Sequence, residues 1–163
     1  MVSVETISPG QRPIQPQPEL EHHLGYWLRR VSNHVSGMFA GALKAKHASV
    51  AEWVVLCQVH ERPGITPGEI AAVLGLTRGA LSKITNKLEA KNWIARANKP
   101  GDSRVQLLSP TNAGSRILPQ LAAIADQNDK ACFDPLNSDE RDTLRRLLRK
   151  LSESHQLREV PME

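Results

Sequence analysis

Apolar residues along this chain recur mostly at steps of three and four, with one interval of short strands, so the pattern predicts helices interrupted by a β-hairpin. Leu20, Leu24, Trp27, Leu28, Val31, Val35, Met38, Phe39 and Ala42 predict a long amphipathic helix from Leu20 to about Lys46. Gly25, Gly37 and Gly41 each weaken it by about 1 kcal/mol relative to Ala, so tertiary packing has to hold it. His47-Ala48-Ser49 breaks the pattern, and Ser49 suits the cap of a helix running to Glu61 that is expected to bury Val50, Trp53, Val54 and Cys57. Pro63-Gly64 ends that helix, and Ile65 is a candidate one-residue strand.

The next interval carries a dense set of helix boundaries. Thr66 suits an N-cap, Pro67 the first helical position, and Glu69 a capping box, with Ile65 and Ile70 spaced as a hydrophobic staple. Thr77 repeats the cap for a second helix, with Leu76 before it and Leu81 at the fourth position. Only Gly75-Leu76 separates the two, the short turn of a helix-turn-helix. Asn92 stands where the second helix should stop in a left-handed conformation. Leu81, Ile84 and Leu88 form its inner stripe. Arg78, Gly79, Ser82, Lys83, Asn86, Lys87 and Ala90 lie opposite, uninterrupted by a large apolar residue.

Trp93–Arg96 and Arg104–Leu108 read as two short strands around the loop Asn98-Lys99-Pro100-Gly101-Asp102. Thr111 then caps a helix to about Cys132, with Ile117, Leu121 and Ile124 on one stripe and Pro119 inside it, where a kink or curve is expected. Asn137 with Glu140 opens a last helix whose Leu144, Leu147, Leu148 and Leu151 form a heptad-like seam. The fold class is therefore mainly α with a small β-hairpin (α+β): a winged helix-turn-helix flanked by a helical dimerisation region. Residues 1–19 read as a flexible arm, 20–47 and 111–158 as the dimerisation region, 48–110 as the DNA-binding winged domain, and 159–163 as a tail. The first helix and the last two carry more apolar stripe than the winged core can cover, which predicts a twofold homodimer.

Charge sharpens this picture. Residues 66–104 hold Arg78, Lys83, Lys87, Lys91, Arg96, Lys99 and Arg104 against Glu69, Glu89 and Asp102, which accounts for the whole net charge of +4. Such concentration on one element is an electrostatic footprint for nucleic acid, although an anionic membrane or an acidic protein would also attract it. No apolar run reaches the length of a membrane span and no secretion signal opens the chain, so a cytoplasmic protein is expected. The 163 residues contain no Gly-rich phosphate loop, nucleophile elbow, HExxH or enclosed carboxylate pair, which argues against an enzyme. His22, His23, His34, His47, His60 and His155 fall at no ligand spacing, and Cys57 and Cys132 are isolated. No cofactor, metal or disulfide is expected.

The stretch ITPGEIAAVLGLTRGALSKITNKLEAKNWIARANKPGDSR followed by VQLLSPTNAG resembles the winged helix of the MarR (multiple antibiotic resistance regulator) family. Leu88-Glu89, Ile94-x-Arg96, Asp102-x-Arg104 and Thr111-x-x-Gly114 carry the resemblance, which spans about residues 20–157. Asn92 replaces the usual Gly, and Ser109-Pro110 replaces a Leu before the capping Thr.

The resemblance implies a sequence-specific regulator binding double-stranded DNA at an inverted-repeat operator, commonly a repressor released by a small molecule. Arg78, Ser82, Lys83 and Asn86 would enter the major groove beside Gly79, with Ser82 and Asn86 reading bases and Lys83 and Lys87 meeting phosphates. In the wing, Arg96, Lys99, Asp102 and Arg104 are the candidates: Arg104 would reach the minor groove, braced by Asp102, itself paired with Arg104 or Arg96. Family members with phenolic or urate-like effectors bind them between the dimer helices and the winged domain. Trp27, Arg30, His34, Met38, Trp53 and Cys57 are the candidate lining for a small aromatic or phenolic effector, with core packing the alternative for the Trp, Met and Cys positions. Two other readings stay open: a winged helix that binds protein or RNA, and a thiol-based redox sensor using Cys57 or Cys132.

Overall fold

The computed structural model describes residues 19–157. The expected N-terminal arm, apart from Glu19, and the tail from 159 onward lie outside the described residues. The elements in order are α1 (Leu24–Lys44), α2 (Val50–Glu61), α3 (Pro67–Leu74), α4 (Arg78–Ala90), β1 (Ile94–Lys99), β2 (Asp102–Pro110), α5 (Asn112–Phe133) and α6 (Ser138–Ser154).

Side-chain caps set most of these boundaries. Ser49, Thr66 and Asn137 each accept from the backbone N–H three residues on, while Glu52, Glu69 and Glu140 return to the cap backbone, closing three capping boxes. Thr77 and Thr111 cap α4 and α5 from the side chain alone. At the turn between α3 and α4, Gly75 takes φ +67°, a left-handed conformation that costs a glycine little. Asn92 adopts φ +56°, as its place after α4 requires.

Two boundaries differ from the sequence reading. Leu20–His22 form a 3₁₀ turn and His23 is extended, so α1 starts at Leu24; there the Trp27 indole N–H donates back to the Glu21 carbonyl at 2.8 Å. The hairpin strands are longer than predicted, because β1 and β2 pair through to Lys99 and Asp102 around Pro100-Gly101, with a bulge between Asn98 and Lys99. Ile65 bridges to Leu108 on the other side of β2.

The core sits in the winged domain. Val54, Val55, Leu56 and Val59 from α2 meet Ile70 and Leu74 from α3, Leu81 and Leu88 from α4, and Ile65, Ile94 and Leu108 from the strands. Helix α2 packs against α1, α4, α5 and β2 at once. That explains why its buried set is Val54, Val55, Leu56 and Val59, whereas Val50, Trp53 and Cys57, expected inside, are half-buried. Among the described residues the flanking helices contribute Leu43 and Leu121 as fully buried core residues, with Phe39, Ile117, Leu118 and Ile124 half-buried against the core. Leu24, Trp27, Leu28, Val31 and Met38 on α1, and Leu147, Leu148 and Leu151 on α6, stay exposed within the single chain. Among the described residues, α6 buries no side chain at all.

One close approach joins the winged domain to α5. A Cβ built on Gly114 would stand 1.9 Å from the Trp93 carbonyl oxygen, so only glycine fits. Gly114→Ala is therefore expected to cost at least about 1–3 kcal/mol through overpacking, whereas Gly79→Ala, with open space around its Cβ, leaves stability unchanged or raises it by up to about 1 kcal/mol. Urea denaturation of the two variants checks the contrast, and equal stabilities would refute the contact.

Candidate nucleic-acid interface

Helix α4 turns Leu81, Thr85 and Leu88 inward and leaves Arg78, Gly79, Ser82, Lys83, Asn86 and Lys87 exposed on one face. None of Arg78, Lys83, Lys87 or Lys99 meets a carboxylate within 4.0 Å among the described residues. All four side chains are exposed. The six recognition-helix candidates therefore come together as one donor-rich surface beside the hairpin.

Two cations of the sequence footprint are instead committed internally. Lys91 at the end of α4 donates to Glu52 at 2.7 Å and to the His47 carbonyl, and lies 5.0 Å over the Trp93 ring. Glu52 is almost fully buried and also accepts from the Ser49 backbone, so this pair ties α4 to the start of α2. Arg96, proposed from the sequence as a wing contact, points back onto α4. Its Nη2 donates to Thr85 Oγ1 at 2.8 Å and Asn86 Oδ1 at 2.6 Å. Its Nε stands 3.0 Å from the Glu89 carboxylate as an ion pair off the line of a hydrogen bond, and Nη1 reaches Gln106 on β2 at 3.4 Å. Arg96 is thus a strut between helix and hairpin, half-buried and neutralised.

Of the two partners suggested for Asp102, the structure selects Arg104. Asp102 Oδ1 accepts from both the backbone N–H and the Nε of Arg104, each at 3.2 Å. The Arg104 side chain is nevertheless 92% exposed, held at its base and free at its tip. Lys99 projects from the other strand of the same hairpin end, opposite Asp102. Thr85, Glu89, Gln106 and Glu52 were missed as working residues. Thr85 and Glu89 stand four apart on one face of α4, where an arginine arriving from the next strand meets both; that spacing was the available signal.

The candidate effector residues do not form one cluster within a single chain. Trp27 packs edge-on against Tyr26 at 5.3 Å, with the Arg30 guanidinium 5.7 Å from its ring. Trp53 packs edge-on against Phe39 at 5.1 Å. Trp27 and Phe39 are twelve residues apart on α1, about 18 Å along a helix, so Trp27 and Arg30 lie at one level and Met38 and Trp53 near another. His34 is exposed between them. The Trp53 Nε1 is buried with no acceptor among the described residues. As for the thiols, burial pushes Cys57 up from its ordinary pKa and the Glu61 carboxylate adds to this, which disfavours the reactive thiolate. Cys132 is half-buried beside Asn128.

Comparison with known proteins bears on the fold and the family. The MarR family model matches residues 49–105. The multiple antibiotic resistance protein MarR of Escherichia coli K12 is 30% identical over 129 residues, covering 78% of this chain and 90% of that protein. A crystal structure of a cysteine-to-serine mutant of E. coli MarR complexed with operator DNA superposes with a TM-score of 0.69 at 29% identity, covering 78% of this chain and 92% of that one. The fold also matches Bordetella bronchiseptica BpsR, described for the regulation of its DNA binding by 6-hydroxynicotinic acid, with a TM-score of 0.71 at 24% identity over 85% of this chain and 98% of that one. With a winged helix whose exposed face is cationic and a relative this similar over most of its length, the chain belongs to the MarR family of DNA-binding transcription regulators.

Proposed function

We propose that the protein acts in the cytoplasm as a homodimeric repressor, holding an inverted-repeat operator through two copies of α4 and its hairpin and released by a small aromatic or phenolic effector. The observation that carries the DNA contact is the outer face of α4, where Arg78, Lys83 and Lys87 surround Ser82 and Asn86 with no carboxylate in ion-pair range among the described residues. Lys83 and Lys87 suit phosphates, Ser82 and Asn86 suit base edges, and the extended Arg104 suits a narrow minor groove. Arg96 and Asp102 serve by positioning these groups. An apolar or acidic face would have favoured a protein-binding winged helix instead. Among the described residues no helix is long and apolar enough to cross a membrane.

Support for the dimer comes from the apolar faces of α1 and α6, where Leu24, Leu28, Val31, Leu147 and Leu151 are exposed among the described residues. A second copy covering both would set two reading heads about one helical turn of DNA apart. Support for an effector comes from the buried, unpartnered Trp53 Nε1, a donor that an oxygen on an aromatic acid or phenol would satisfy.

Arg104→Ala is expected to weaken binding mainly at operators with A·T-rich flanks, and Lys87→Ala to weaken binding to all sequences alike while reducing the salt slope by about 1. Electrophoretic shifts across a salt series measure both; a wild type without salt dependence would end the DNA reading. Deleting residues 138–163 should leave a folded monomer in light scattering, because α6 buries nothing in its own chain. A persisting dimer would remove α6 from the interface. Titrating 6-hydroxynicotinic acid and simple phenols into the operator complex should dissociate it at lower concentration than aliphatic acids do, and indifference to all of them would remove the effector from the scheme.

A further inference from the structure

Resting on the reading of α4 as the groove-facing helix, we infer that Arg96 is a specificity-determining residue. By holding Asn86 Oδ1 it turns the amide so that Nδ2 alone faces the duplex, and α4 then selects, at one base pair, a base edge that accepts a hydrogen bond.

The orientation follows from donor and acceptor inventory. A guanidinium has donors only, so the Asn86 atom 2.6 Å from Arg96 Nη2 is the oxygen. The second hydrogen of Nη2 goes to Thr85 Oγ1, whose own hydroxyl donates to the Ser82 carbonyl at 3.1 Å. A flipped Asn86 would set its NH₂ against the Arg96 NH₂, donor against donor. The bond is short and charge-assisted, which places it among the stronger hydrogen bonds. Asn86 is otherwise exposed, and Nδ2 has no acceptor among the described residues.

An unconstrained asparagine reads adenine with both ends, donating to N7 and accepting from N6. With Oδ1 turned back and held on Arg96, the outward end of the amide is the NH₂ group, which only donates. It suits guanine N7 or O6 and thymine O4, and it offers nothing to cytosine, whose major-groove edge carries only the N4 donor. Adenine keeps N7 but loses its two-point advantage. Arg96 touches no base in this arrangement; it acts through Asn86.

Selection from a randomised duplex library, with wild type, Asn86→Asp and Arg96→Met compared, tests this. Asn86→Asp keeps an oxygen for Arg96 and replaces the outward donor by an acceptor. The expected result is that one base pair per half-site changes from guanine or thymine to cytosine by about tenfold in enrichment, with the other positions unchanged. Arg96→Met frees Oδ1, and adenine should rise about tenfold at that same pair. Thermal melts establish that each protein is folded, and Asn86→Asp retains the strut if Arg96→Met does not fold. The inference is overturned if both variants shift only overall affinity and melting temperature, or if, on the strand where Asn86→Asp enriches cytosine, the wild type already enriches adenine or cytosine. A wild type that enriches no motif would instead remove the groove-facing reading of α4, and this inference with it.

Discussion

The last carbonyls of α4 accept from the chain that leaves it, Lys87 from the Lys91 N–H, Leu88 from Trp93 and Glu89 from Asn92, and the way this exit is anchored fixes where the reading head sits. Asn92 and Trp93 leave α4 through the left-handed turn, and Thr111 bonds both: its hydroxyl donates to the Asn92 carbonyl at 2.5 Å and its backbone N–H to the Trp93 carbonyl at 3.1 Å. The same hydroxyl oxygen caps α5 by accepting from Gly114. On the other side Lys91 bonds Glu52 and the His47 carbonyl, where α1 gives way to α2. The exit of α4 is therefore bonded to both flanking helical regions. A displacement of α1 or α5 that keeps these bonds carries α4 with it, which gives a helix outside the winged domain a mechanical grip on the groove-facing surface.

Charge on this molecule divides into a presented set and a committed set. Counting residues between 66 and 104 finds every excess cation of the chain, but Lys91 and Arg96 are neutralised by Glu52 and Glu89 and act as fasteners. Arg78, Lys83, Lys87, Lys99 and the tip of Arg104 remain outward. The division follows reach: Arg96 on β1 lies across from the inner side of α4, whereas Arg104, three residues past Gly101 at the hairpin turn, meets its neighbour Asp102 and leaves its tip exposed.

Much of this was legible in the sequence because caps are local. Ser49, Thr66, Thr77, Thr111 and Asn137 each meet a partner three residues away, and Asn92 needs only its own conformation. Contacts across the chain were not legible. Lys91 meets Glu52 thirty-nine residues away with no periodicity to announce it, and Arg96 gathers Thr85, Asn86, Glu89 and Gln106 from two elements, of which only the four-residue step from Thr85 to Glu89 leaves a mark in the sequence. Helix α2 hid its buried face because it is apolar all round, being packed on several sides. The outer ends of the hairpin strands read as loop in the sequence because Asn98, Lys99 and Asp102 carry no apolar alternation; the ladder there is solvated on both faces. The candidate effector residues are grouped by the resemblance alone, which carries no information on the distance along the axis between Trp27 and Met38.

The hairpin also raises a question of solubility. Near its base, β2 is flanked by β1 on one side and by Ile65 on the other, and Gly64 donates to the Leu108 carbonyl at 2.8 Å. Beyond that bridge the outer rim of β2 is an open edge, the kind of backbone that can recruit a strand from a neighbouring molecule. Like charges on Lys99 and Arg104, together with the irregular pairing at Asn98, make stacking of one such tip on another unfavourable. The side chains suited to a polyanion thus double as gatekeepers against self-association, so neutralising them for any purpose would trade ligand affinity for a tendency to aggregate.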